Sequence, residues 1–302
     1  MGILVVGSVA FDTVTTPFGK ATEVLGGSAT FFAAAASFFT EVSLVAVVGE
    51  DFPEQHLDFL RERNVDLRGL QRAPGRTFRW VGEYGFALNE AHTLETQLNV
   101  FASFRPVIPE AYRDAPVVFL ANIDPDLQRD VLGQVRRPAL VAADTMNYWI
   151  NGKPDSLRET LRLVDTLLIN DAETRQLADE ANLVRAARKI LTWGPRSLVV
   201  KRGEYGALMF NERGCFAAPG LPLEQVMDPT GAGDSFAGGF IGYLANLMNF
   251  DDATIRKAII MGSVMASFNV EAFSMDRFRT LTYSEIEARY RVFRRLAHFE
   301  DL

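Results

Sequence analysis

Short, continuous apolar runs recur along the chain at residues 3–6, 44–48, 117–120, 140–143, 167–169 and 198–200. None shows the in-and-out alternation of a half-exposed strand, so each predicts a parallel strand buried on both faces. Between them the apolar positions change to a helical period, at 30–39, 53–63, 125–135, 156–163 and 182–192. Alternating strands and helices predict a doubly wound, mostly parallel α/β sheet flanked by helices. Ligands of such sheets bind outside the carboxyl ends of the strands. After residue 205 a hairpin is expected at 206–210 and 215–217, followed by helices over 232–247, 252–269 and 284–298.

Two segments break this rhythm. Residues 13–25 are polar, with scattered Thr and Gly, and 76–103 carry extended patterns with no helical period. The second reads as strands near 77–84 and 98–104 around a polar turn at 89–92. Together the two segments predict one small β-sheet projecting as a lid. Phe78, Trp80, Tyr84 and Phe86 recur with a period of two, which places them on one face of it. That face is equally an acceptor wall, the sheet's own apolar side, or a contact between subunits.

Composition narrows the class. The chain has 302 residues, of which 48% are hydrophobic, enough for one large domain spanning 1–302. Lys and Arg number 31 against 38 Asp and Glu, a net charge of -7 with no basic block, which argues against nucleic acid. The longest apolar stretch, 31–39, is too short to span a bilayer. No basic leader precedes residue 3, so a cytoplasmic protein is expected. Cys215 is the only cysteine, which excludes an intramolecular disulfide; a buried or half-buried thiol is expected. His56, His92 and His298 show no metal or triad spacing and read as surface residues.

Candidate chemistry concentrates at Asp228-Pro229-Thr230-Gly231-Ala232-Gly233-Asp234, which runs into a small-residue helix. Glycines permit the tight turns that aim N–H groups at an anion, and a helix start adds more such donors. Asp234 there is either a helix cap or a carboxylate placed beside an anion to take a proton. The stretch lacks the Lys of a P-loop and the third Gly of a dinucleotide fingerprint. A nicotinamide dehydrogenase is excluded too, because Gly7 has no second glycine at the needed spacing.

The same stretch resembles the C-terminal signature of the ribokinase-like (PfkB) carbohydrate kinases, Asp-x-Thr-Gly-Ala-Gly-Asp. Gly26-Gly27-Ser28-Ala29-Thr30 is similar to the N-terminal signature of that family, and Gly49-Glu50-Asp51 to its Gly-x-Asp. The resemblance implies an ATP-dependent kinase acting on a hydroxyl of a sugar or sugar-like molecule. Asp234 would be the general base, and the Gly231, Ala232 and Gly233 amides the anion hole. Asn170 and Glu173 would organise magnesium, partly through water, and the nucleotide phosphates. The same four residues, Asn170-Asp171-Ala172-Glu173, also spell a capping box. Asp12, Gly26, Gly27, Thr30 and Trp80 are expected on the acceptor side. Lys201, Gly203, Thr230 and Asn269 are expected on the ATP side, with Ala266 and Phe268 nearby. A monovalent cation and a homodimer through the lid are further expectations of the resemblance.

One departure stands out. Phe31 stands where sugar-using members carry an Asn that binds substrate hydroxyls. It implies a less polar acceptor, a hydroxyl-binding role moved to Ser28 or Thr30, or simply core. A nucleoside acceptor is the main alternative, since a base needs an apolar stacking surface. A sugar- or nucleotide-binding protein without turnover is the other, and the intact Asp234 argues against it.

Overall fold

A computed structural model describes residues 2–298 and Glu300. Thirteen strands form two sheets: β1 (Ile3–Val6), β2 (Ala10–Thr16), β3 (Gly19–Gly26), β4 (Val42–Gly49), β5 (Val65–Ala73), β6 (Phe78–Tyr84), β7 (Ala91–Gln97), β8 (Val117–Leu120), β9 (Leu140–Asp144), β10 (Thr166–Asn170), β11 (Ser197–Lys201), β12 (Ala207–Asn211) and β13 (Gly214–Ala218). The large sheet has the order β13-β12-β11-β10-β9-β8-β1-β4-β5, and the small one β3-β2-β6-β7. The large sheet is parallel except where β12 pairs with β11 and β13.

Its central strands are buried on both faces, as their unbroken apolar runs predict. In β1, Ile3 and Val5 enter one core while Leu4 and Val6 enter the other. The first core is closed by helices Ser28–Ala36, Ala232–Leu247 and Asp252–Asn269. Helix Ser28–Ala36 packs tightly on Ala232–Leu247: a Cβ added to Gly238 would lie 2.4 Å from the Phe32 carbonyl oxygen. Across the core, Phe32 stacks on Phe119 at 4.1 Å.

The sequence misplaced several elements. Residues 98–104 form no strand. Asn99 takes a left-handed φ of 49°, and Asn99–Ser103 is a 3-10 turn that buries Val100. The strand of that hairpin is β7, which begins at Ala91, inside the predicted turn. Edge strand β5 went unread because Asp66, Arg68, Gln71 and Arg72 interrupt its apolar positions. Cys215 is exposed on the edge strand β13 rather than buried. His56 is half-buried, packed against the rings of Phe11 and Phe52 rather than in solvent. Among the described residues no helix is long and apolar enough to cross a membrane.

Candidate functional site

Neighbouring strand ends assemble one side of the site. Asp144 ends β9, Asn170 ends β10 and Lys201 ends β11, and Asn170 and Lys201 are direct register partners. Lys201 Nζ donates to Asp144 Oδ2 at 2.8 Å, in a pair whose side chains are 17% and 6% exposed. Asn170 caps the helix Asp171–Ala178: Glu173 N donates to Asn170 Oδ1 at 2.7 Å, and Asn170 N to Glu173 Oε2 at 2.9 Å. The capping box is therefore real. It also fixes the Glu173 carboxylate beside Lys201 and Asp144, whose charges act on it.

The glycine turn closes over these strand ends. Gly231 has φ 74°, a left-handed value at which a β-carbon is strained. It is the N-cap of helix Ala232–Leu247, and no side chain caps that helix. Asp234 lies inside the first helical turn, so the cap reading of its carboxylate fails. A Cβ on Gly233 would sit 3.0 Å from Lys201 Nζ, which places the ammonium directly against the turn. The Ala232 N–H is engaged by the Pro229 carbonyl at 3.1 Å. The Gly231 and Gly233 N–H groups have no partner among the described residues, so two of the three expected amides are open.

Buried side chains hold the turn from behind. Asp228, 1% exposed, accepts the Thr230 N–H at 2.9 Å. Asn269 donates to the Thr230 carbonyl at 2.8 Å and accepts from Ser235 Oγ at 2.8 Å. With both ends of its amide used, Asn269 braces the turn instead of facing the cleft, contrary to expectation. Phe268 is also buried, with the Arg277 and Arg289 guanidiniums lying over its ring. Ala266 packs against the first core.

On the opposite side, Asp12 lies on β2 and accepts from the Gly27 N–H. A Cβ on Gly26 would fall 2.0 Å from Asp12 Oδ2, so only glycine leaves room for the carboxylate there. Asp12 pairs with Trp80 on β6, which puts both side chains on one face of the small sheet. The residues around Phe31 resolve its alternatives. Thr30 is fully enclosed, with its hydroxyl unpartnered. Ser28 is tied to Ser8, Oγ to Oγ at 3.1 Å. The Phe31 ring lies under the turn, 2.3 Å from where a Gly231 Cβ would stand. It is core, and neither hydroxyl takes over the missing amide's role.

The aromatic row divides. Phe78 stacks on Phe101 at the sheet's root. Trp80 Nε1 donates to Thr93 Oγ1 at 3.1 Å. Tyr84 reaches Thr230, and Phe86, beyond the strand, is exposed. At the root, Asp51 of the Gly-x-Asp accepts from Thr77 N at 2.8 Å and Thr77 Oγ1 at 2.7 Å, and pairs with Arg79 at 2.9 Å. At the tip, the Asn89 carboxamide lies against Gly203, where φ is 53°, and donates to Glu204 Oε1 at 3.3 Å.

Charge is crowded here. Burial, with the Asp144 charge adding and Lys201 opposing, pushes the Asp234 carboxyl up to about 8. Burial, partly offset by the Gly27 N–H, raises Asp12 to about 7. Burial and Asp144 raise Glu173 to about 7. Burial works against the Lys201 charge, but Asp144, Glu173 and Asp234 outweigh it, and its pKa lies above the usual lysine value.

A carboxyl raised in the folded state keeps its proton there while the unfolded chain loses it. Its stabilisation is present below the unfolded value of 3.8 and is lost as pH rises towards about 8. The melting temperature of the free protein should therefore fall between about pH 5 and pH 8. Calorimetry across that range checks this, and Asp234→Asn should flatten the slope.

Sequence reasoning missed Asp144, whose only sign was an acid at the end of an apolar run. It placed Asp228 in the glycine-rich stretch and Tyr84 on the aromatic face of the small sheet, but gave neither its partner, Thr230.

Known proteins share this architecture. Residues 3–277 match the pfkB family carbohydrate kinase profile. The chain is 32% identical over 254 residues to a cytidine kinase of Thermococcus kodakarensis, covering 80% of this chain and 88% of that one. The nucleoside kinase of Methanocaldococcus jannaschii superposes with a TM-score of 0.76 at 19% identity, over 97% and 99% of the two chains. A putative ribokinase II of E. coli, in complex with ATP and Mg2+, superposes at 0.78 with 19% identity, over 96% and 99%.

Proposed function

Because this chain belongs to the pfkB family of carbohydrate kinases, with its ribokinase-like fold, we propose that the site just described phosphorylates a nucleoside. The chain is a phosphotransferase that uses ATP and a hydroxyl acceptor of the sugar or nucleoside class. The observation favouring a nucleoside is the register of Asp12 with Trp80, which sets a carboxylate for a diol beside a broad apolar surface for a base. The 32% identity to a cytidine kinase points the same way.

Asp234 orients the acceptor hydroxyl and takes its proton as the oxygen attacks the γ-phosphorus; the bond from that phosphorus to the β,γ-bridging oxygen breaks and ADP leaves with the electron pair. A carboxyl titrating near the working pH suits that task. The Gly231 and Gly233 amides face the charge that grows on the phosphoryl oxygens, and Lys201 adds a fixed cation beside them. Asp144 holds Lys201 in place and charged. Among the described residues no three acidic, His or Cys side chains form a metal cage. Magnesium is commonly held by one or two carboxylates, waters and the substrate phosphates, and the Glu173 carboxylate at the strand ends is a group of that kind. Glu173 would hold it, partly through water, and it would neutralise charge on those phosphates. Closure of the small sheet excludes water as a competing acceptor. A homodimer through that sheet would cover the exposed Phe86 and Leu94, and sedimentation reads it directly.

Lys201→Met removes the cation and leaves Asp144 buried without a partner. The expected result is a kcat loss of about 10²-fold and a lower melting temperature. Steady-state kinetics and thermal melts measure both. The acceptor assignment is tested by ATP consumption across a panel of nucleosides and sugars. A nucleoside should exceed every sugar in kcat/KM by at least about 100-fold. A preferred sugar would overturn the assignment and leave the kinase intact.

A further inference from the structure

Gln128 is an amide buried where an apolar residue would be expected. It lies on helix Pro125–Leu132, whose buried residues are Pro125, Gln128 and Val131, and it is 1% exposed. A polar side chain enclosed to that extent must be hydrogen-bonded to offset its lost hydration. Its Nε2 donates to the Ala121 carbonyl at 3.0 Å and to the Asp144 carbonyl at 3.0 Å, with the Leu120 carbonyl a longer contact at 3.4 Å. Leu120 ends β8 and Asp144 ends β9, and these strands are neighbours in the large sheet. One amide therefore ties together two adjacent strand ends at the rim of the site, where the ladder stops supplying donors. A leucine at 128 would leave those carbonyls facing hydrocarbon.

The tie reaches the glycine turn through two further residues. Asp144 Oδ1 accepts the Thr145 N–H at 2.7 Å, and Asp144 Oδ2 accepts from Lys201 Nζ at 2.8 Å. Lys201 Nζ in turn lies 3.0 Å from where a Gly233 Cβ would stand. With its carbonyl held from behind by Gln128, the last peptide of β9 cannot rotate, and the Asp144 carboxylate stays aimed at the ammonium.

We infer that Gln128 is a positioning residue for phosphoryl transfer: by holding the Asp144 carbonyl it fixes the carboxylate that keeps Lys201 against the glycine turn. It acts through Asp144 and Lys201, not by contact with a substrate. The inference rests on the kinase site assigned above, and holds for a sugar or a nucleoside acceptor alike.

The test uses the full chain with Gln128→Met and Gln128→Glu, and whichever of cytidine and ribose the wild type turns over faster. Gln128→Met keeps the side-chain length and removes the donors. It should lower kcat by at least about tenfold, as displaced catalytic groups do, with the acceptor KM within about threefold. In a Lys201→Met background the same change should cost less than about threefold, because residues acting through one cation are not additive. A merely structural glutamine would cost the same factor in both backgrounds. Gln128→Glu tests the donor itself, and serves also if Gln128→Met does not fold. A carboxyl buried among carbonyls holds its proton and one donated bond at low pH, so kcat relative to wild type should be at least about threefold higher at about pH 6 than at about pH 9. One readout needs no turnover. Competitive acetylation of the free protein, read by mass spectrometry, should label Lys201 at least about fivefold faster in Gln128→Met, since the loosened pair opens locally. Lys189, bonded to the Ala178 carbonyl, should label at the wild-type rate. If wild type phosphorylates neither compound, that counts against the acceptor assignment alone, and the labelling still decides the inference. Equal losses in the two backgrounds, a pH-independent ratio for Gln128→Glu, or unchanged Lys201 labelling overturns it.

Discussion

Asp234→Asn should lower kcat by about 10²–10⁴, the usual worth of a general base. The reason is positional. Asp234 is in the first turn of helix Ala232–Leu247, it caps nothing, and its carboxyl is raised to about 8 by burial and the Asp144 charge. Its carboxylate engages only a first-turn N–H, its own, and a carboxyl poised near neutrality suits proton exchange. Asparagine keeps the size and removes the proton acceptor. The variant should also melt normally, or slightly higher at pH 8, because the buried charge it removes is unfavourable there. Nucleotide affinity should stay within about threefold. On the wild-type side, kcat should rise with pH up to about 8, opposite in sign to the fall in stability over the same range. Steady-state kinetics with both proteins across pH, with calorimetry alongside, measures the pair of trends.

Gly231→Ala should lower kcat by about 10²–10³, comparable to losing one oxyanion donor. Two effects combine. At φ 74° an L-residue costs about 1–2 kcal/mol. The new Cβ would also lie 2.3 Å from the Phe31 ring, which is 2% exposed and has no free volume to retreat into. Relief requires moving the turn, and moving the turn displaces the open Gly231 and Gly233 amides. Kinetics and a melt on Gly231→Ala test this. The double variant Gly231→Ala with Phe31→Leu separates the terms: it should recover part of the stability and less of the rate, because the left-handed strain remains.

Much of this site was legible where its logic is local. The apolar runs gave the central strands because burial on both faces leaves no room for polar residues. The glycine turn and Asp234 lie within seven residues, and the Asn170–Glu173 box within four. What was lost depends on distance along the chain. Asp144 acquires its meaning from Lys201, 57 residues away, and Tyr84 from Thr230, 146 residues away. No spacing reveals such pairs. Residue type misled where packing decides: Thr30 and Ser28 look like substrate hydroxyls but are enclosed or tied to Ser8. Asn269 looks like a nucleotide contact, yet both ends of its amide brace the turn. Phe31 is explained by the ring space under Gly231, which a sequence does not display.

The central claim is that Asp234 and the turn before it transfer a phosphoryl group to an acceptor hydroxyl. The most direct measurement follows γ-labelled ATP in a single turnover with excess enzyme and a nucleoside, comparing wild type with Asp234→Asn at matched nucleotide occupancy. The account predicts label on the nucleoside from wild type and at least about a 100-fold slower appearance from the variant. Transfer by the variant within about threefold of wild type would contradict it.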